Sequence, residues 1–102
     1  MSNEVSGSNS QAIGYDHNIF GNNSLSLLGF SGATTTTSGQ ECLTVGKFIN
    51  NANGSTYLLG SGQNNTSLLQ ANNAYTFGVG FRHTDPTLVV YCPTSGAYGN
   101  VG

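Results

Sequence analysis

The chain has 102 residues, enough for one domain with a thin core, because short chains bury a smaller share of their surface. Only Glu4, Asp16, Glu41, Asp85, Lys47 and Arg82 are formally charged, for a net charge of −2. Two cations exclude a phosphate-tracking nucleic-acid surface and a basic amphipathic helix for a membrane, and no apolar run reaches transmembrane length.

Solubility therefore falls to Asn, Ser, Thr and Gln, which together with 15 glycines are poor helix material. No window carries a sustained apolar period of 3.6, and the fold class expected is all-β. Five tyrosines, five phenylalanines and several aliphatic runs argue against disorder.

In chain order, residues 1–9 are small and polar and predict a flexible N-terminal arm. Met1 to Val5 has neither a basic region nor an apolar core, so no secretory signal peptide is expected and the chain reads as made in a cytoplasm. Residues 10–32 hold a short unit almost twice. Ser10-Gln11-Ala12-Ile13-Gly14 alternates small and apolar residues and ends on glycine, and Ser24-Leu25-Ser26-Leu27-Leu28-Gly29 repeats the plan after Gly21-Asn22-Asn23. Each half suits a strand of about five residues with one covered face, and a segment that short needs neighbours to cover it. Asp16-His17-Asn18 reads as a turn tip.

The threonines of Ala33 to Gly39 predict either an extended strand or a surface loop. Asn53-Gly54, between Lys47-Phe48-Ile49 and Ser55-Thr56-Tyr57-Leu58-Leu59-Gly60, predicts a two-residue hairpin. Residues 33–93 read as a β-rich fibre domain, with Thr87 to Cys92 as its most apolar strand, and residues 94–102 as an extended tail.

An aliphatic-glycine pair recurs at Ile13-Gly14, Leu28-Gly29, Val45-Gly46, Leu59-Gly60 and Val79-Gly80, at unequal but comparable intervals. Each interval suits one circuit of a small β-solenoid, two short strands and two turns. Gly14, Gly29, Gly46, Gly60 and Gly80 are then turn glycines, where φ is positive or the backbone approaches closely.

Residues able to carry chemistry are sparse. Asp16-His17 and His83/Asp85 are the acid-histidine neighbours, but no nucleophile elbow, facing carboxylate pair or zinc-ligand spacing accompanies them. No enzymatic activity, metal or cofactor is expected. Cys42 and Cys92 fit buried free thiols, with a bridge between them as the alternative. The Asn-x-Ser/Thr triplets at Asn22, Asn53, Asn64 and Asn65 follow from composition. Phe81 and Tyr98 are candidate glycan contacts, with core or inter-chain packing of these aromatics as the alternative.

The run from Ser8 to Gly29 resembles the head repeats of trimeric autotransporter adhesins, and related repeats of bacteriophage fibres, whose short coils carry a Ser-x-Ala-Ile/Leu-Gly core. Val45-Gly46-Lys47-Phe48, then Gly60-x-Gly62, then Asn73-Ala74-Tyr75 is similar to a segment that follows such repeats in phage fibre proteins. Ser26 stands where the pattern has alanine, Leu28 is an extra residue, and the arginine expected before Asn73 is missing. The resemblance implies a left-handed β-roll in an intertwined homotrimer, with Ile13, Leu27 or Leu28, Val45 and Leu59 facing the shared axis. It further implies a structural bacteriophage virion protein, a small trimeric head or tail fibre or decoration protein that contacts other virion proteins and a host surface glycan. The alternatives are a head fragment of a bacterial trimeric adhesin and a glycan-binding receptor module.

Overall fold

In the computed structural model the described residues are 3–29, 32–82, 84–91 and 100–101, and among them there are strands and turns but no helix. The strands are β1 (Glu4–Val5), β2 (Gln11–Gly14), β3 (His17–Ile19), β4 (Leu25–Leu28), β5 (Thr35–Thr37), β6 (Leu43–Lys47), β7 (Ile49–Asn51), β8 (Tyr57–Ser61), β9 (Thr76–Phe81), β10 (Leu88–Tyr91) and β11 (Asn100–Val101). They form two sheets, one in the order β1-β3-β5-β7 and a larger one in the order β11-β10-β9-β8-β6-β4-β2. Through β8 the chain alternates between the sheets; before β9, which returns to the larger sheet, only an isolated bridge from Leu69 to Ile49 stands on the smaller one. Equivalent strands of successive circuits pair parallel. Gln11, Leu25, Leu43, Tyr57 and Phe77 stack in register, one per circuit. The circuits from Leu25 to Leu43 and from Tyr57 to Phe77 are the longer ones, their extra residues lying in the turns. This is a β-solenoid. After β9 the path reverses: β10 pairs antiparallel to β9 and β11 antiparallel to β10, extending the larger sheet at that end.

One corner of the roll is set by glycine. Gly46, Gly60 and Gly80 lie in register, and Gly46 and Gly60 have φ of +129° and +126°. A Cβ on either would sit 1.8 and 1.7 Å from the carbonyl oxygen of the glycine in the next circuit, so no side chain fits. In the second circuit Leu28, at φ +70°, occupies the place taken by Gly14 below it, and Gly29 follows as the start of a longer turn. The other corner repeats a capping bond. Ser10 Oγ donates to Gly21 O at 2.8 Å, Ser24 Oγ to Gly39 O at 3.1 Å, and the Cys42 thiol to Asn53 O at 3.0 Å. The residue just before each, Asn9, Asn23 and Glu41, has positive φ, as do Ser55 and Tyr75 one and two circuits on. Asn tolerates that conformation because its short amide serves the local backbone.

The interior is one side-chain layer thick, the smallest extent of the molecule being 17 Å. In its first circuits it is largely polar. His17, Ser26, Thr35, Thr37, Thr44 and Asn51 are fully buried beside Ile19. Thr37 Oγ1 lies 2.7 Å from Thr44 Oγ1, and Asn51 Nδ2 donates to Thr44 Oγ1, Thr56 O and Leu43 O at 3.1, 2.9 and 3.2 Å. The apolar core comes further along, where Ile49, Leu58 and Leu69 meet.

Several expectations change. Glu4–Val5 pairs with Asn18-Ile19 of β3, so this part of the segment set apart as an arm belongs to the roll. The Asn3 amide reinforces it, accepting from the His17 N–H at 3.0 Å and donating to Gly14 O at 3.0 Å, as a peptide group of a preceding circuit would. Asn53-Gly54 is a solenoid corner rather than a hairpin, because β8 crosses to the other sheet and pairs parallel with β6. The roll runs without interruption across position 32 to Phe81. The threonine run is β5, with Thr35 and Thr37 inside and Thr36 outside. Of the C-terminal tail, residues 94–99 and 102 lie outside the described residues, and Asn100–Val101 is β11.

Candidate assembly surface

The two outer faces of the roll differ sharply. Outside the smaller sheet, Glu4, Asn18, Thr36 and Asn50 stand in one register row, all polar. In the larger sheet, strand alternation turns Ser26, Thr44, Leu58 and Gly78 inward and leaves a second set of aliphatics outward. One outward row is Ile13, Leu27, Val45, Leu59, Val79 and Leu88, each paired in register with the next. A parallel row is Leu25, Leu43, Tyr57, Phe77 and Val90, beginning at Gln11. These two rows contain no charged residue.

Four of the residues expected at a shared axis, Ile13, Leu27, Val45 and Leu59, therefore occupy successive places in one row. Ile13 is 62 % exposed and the other three are half-buried. Leu28 is not among them: it sits at the glycine corner, 61 % exposed, because Leu27 already holds the outward place. The second row was missed by following glycine-linked aliphatics alone. Its signal was the apolar residue two positions earlier in each strand, Leu25 before Leu27 and Leu43 before Val45.

A shallow groove runs along each edge of this face. The edge where strands begin has a groove of about 720 Å3 lined by Asn23, Leu25, Glu41, Leu43 and Tyr57 among others. The edge where strands end has one of about 390 Å3, with Gly46 and Gly60 between Leu28, Lys47, Ser61 and Phe81. Phe81, a candidate glycan contact, is 69 % exposed there. Tyr98, the other candidate, lies outside the described residues, as do His83 and Cys92.

Of the remaining chemical groups, His17 and Cys42 are turned inward. His17 is fully buried, its Nδ1 2.6 Å from Ser26 Oγ and its Nε2 against Leu28 O. This is a serine-histidine contact with no opening to solvent. Asp16 accepts from the Gly32 N–H, and with Asn65, which donates to Gly32 O and accepts from the Thr34 N–H, it fastens the second circuit's long turn. Cys42 is buried, and burial pushes its thiol pKa above the ordinary 9.0, outweighing the lowering by hydrogen bonds from the Thr56 and Ser55 backbone; nearby Glu41 adds a smaller push upward. Among the described residues no three His, Cys, Asp or Glu side chains cluster to hold a metal ion.

Compared with protein-family models, curated proteins and solved structures, the chain finds no match.

Proposed function

We propose that the chain is a structural virion protein of a bacteriophage, a small trimeric head or tail fibre or decoration protein that projects from the particle and has no enzymatic role. One observation carries this reading: two charge-free register rows of aliphatic and aromatic side chains cover the outside of the larger sheet, while the outside of the smaller sheet is polar. A roll this thin has room inside for only a few large apolar side chains, such as Ile19, Ile49, Leu58 and Leu69, and leaves a second apolar face outside that needs other chains for cover. Three copies with that face toward a common axis supply it, each buried leucine contributing about 1.5–3 kcal/mol. The resemblance to fibre and adhesin-head repeats points the same way, and the paucity of charge suits an exposed, protease-resistant projection rather than a catalyst.

Mass in solution tests the assembly: three times the 10.5 kDa of one chain supports it, and a chain that stays at single mass at high concentration refutes it. Negative-stain images of particles labelled for this protein then test the virion assignment, since labelling confined to other cell material excludes it. The exposure of Phe81 favours one further role within this reading, contact with a host surface glycan. Glycan-array binding that disappears in Phe81→Ala supports that contact, and an array with no binding removes it.

A further inference from the structure

We infer that the assembly closes head-to-tail at the edges of the larger sheet, with Glu41 of one copy paired to Lys47 of the next. The inference rests on the trimeric reading above and adds the contact that closes the ring.

Rotational symmetry dictates the kind of contact. When three copies turn the same sheet face toward an axis parallel to the roll, strands run perpendicular to that axis and in the same rotational sense. The beginning of a strand in one copy then meets the end of the equivalent strand in its neighbour, at the same height, which is a heterologous, ring-closing contact. Glu41 stands two residues before β6, and Lys47 is its last residue. Both lie on the face side of the roll: Glu41 lines the groove with Leu43 and Tyr57, and Lys47 lines the opposite groove with Leu28, Ser61 and Phe81. These grooves thus carry opposite charges at one level, on a face whose two central rows carry none. Within one chain the pair cannot meet, because the length of strand β6 holds them about 20 Å apart.

The experiment is a charge-reversal cycle read by sedimentation over a dilution series, at low salt and at about 0.3 M, where exposed pairs are screened. For wild type, a species of three chain masses is expected. Glu41→Lys alone and Lys47→Glu alone each set three like-charge contacts per ring and raise the concentration at which it dissociates about tenfold at low salt, less at high salt. The neutral variants Glu41→Gln and Lys47→Gln shift it in the same direction by less. The double variant Glu41→Lys/Lys47→Glu, which restores opposite charges only between copies, returns it to within about threefold of wild type. A trimeric wild type whose single reversals are unchanged at low salt, or whose double variant is no better than the singles, overturns the pairing and leaves the trimer intact. A wild type at single-chain mass overturns both.

Discussion

Ser26 Oγ lies 2.6 Å from His17 Nδ1 in the interior of the roll, and the other ring nitrogen of His17 faces Leu28 O. A carbonyl oxygen only accepts, so Nε2 carries the proton, and in the neutral ring Nδ1 accepts from the Ser26 hydroxyl. In the preceding circuit Ala12 holds the place of Ser26. The departure from the alanine of the repeat is thus explained by the histidine opposite it. Ser26→Ala restores the repeat residue but leaves a buried ring nitrogen without a donor, and the expected cost is about 1–3 kcal/mol in chemical denaturation. A variant as stable as wild type would show that Ser26 is only a small filler.

What the sequence made legible, and what it hid, follows from the thinness of the roll. Recurrent glycines announced circuits of the right length because a carbonyl of the next circuit occupies the space of a missing Cβ at Gly46 and Gly60. The polar interior was hidden, since hydrophobic periodicity assigns aliphatics to a core, whereas here Thr44 points in and Val45 points out. Asn53-Gly54 looked like a hairpin because turn chemistry is local, and only the pairing of β8 with β6 distinguishes a solenoid corner from a reversal. The outward rows were partly legible: the glycine-linked residues gave one row, but Tyr57 and Phe77 required the register.

Gly60→Ala tests the corner directly. The added Cβ would lie 1.7 Å from Gly80 O, at a φ of +126°. Stability should fall by roughly 3 kcal/mol or more, or the chain should fail to fold. At the opposite corner a Cβ on Gly54 would be no closer than 3.8 Å to Gln40 O, so Gly54→Ala should change stability by less than about 1 kcal/mol. Equal effects at the two positions would contradict the stacked-glycine account.

Leu59→Glu tests the apolar face without disturbing the interior, because Leu59 points outward between Val45 and Val79 while Leu58 points in. In the proposed trimer three carboxylates brought to one axis cannot be solvated, so the expected result is a species of single-chain mass, 10.5 kDa, with an unchanged β-type circular dichroism spectrum. A variant that still sediments as a trimer would show that the row does not face the axis.

Cys42 supplies a pH dependence. Its folded pKa is raised by burial, so folding favours the neutral thiol and that contribution is fully present below the ordinary value of 9.0. As pH climbs from there through the raised folded value, the unfolded chain ionises first and the contribution is lost. Denaturation midpoints should therefore drop more steeply above pH 9 in wild type than in Cys42→Ser, whose hydroxyl reproduces the caps of Ser10 and Ser24. Identical slopes would indicate that the thiol reaches water.

Two threonines that share the inner face of β5 should respond to the same substitution with opposite signs. Both Thr35 and Thr37 are fully buried, and β5 directs both inward around Thr36. Thr37 Oγ1 shares a hydrogen bond with Thr44 Oγ1, whereas Thr35 Oγ1 has no hydrogen-bond partner among the described residues. Valine keeps the branched shape and removes only the hydroxyl. In Thr37→Val the polar network through Thr44 and Asn51 loses a member, costing about 1 kcal/mol or more. In Thr35→Val a desolvated hydroxyl with nothing to bond disappears beside Ile49, its register partner in β7, and stability should rise by about 1 kcal/mol. Thermal melts of the two variants at matched concentration decide the matter. Destabilisation in both would mean that the Thr35 hydroxyl is satisfied in solution, and that the roll interior is more fully hydrogen-bonded than its side-chain contacts alone require.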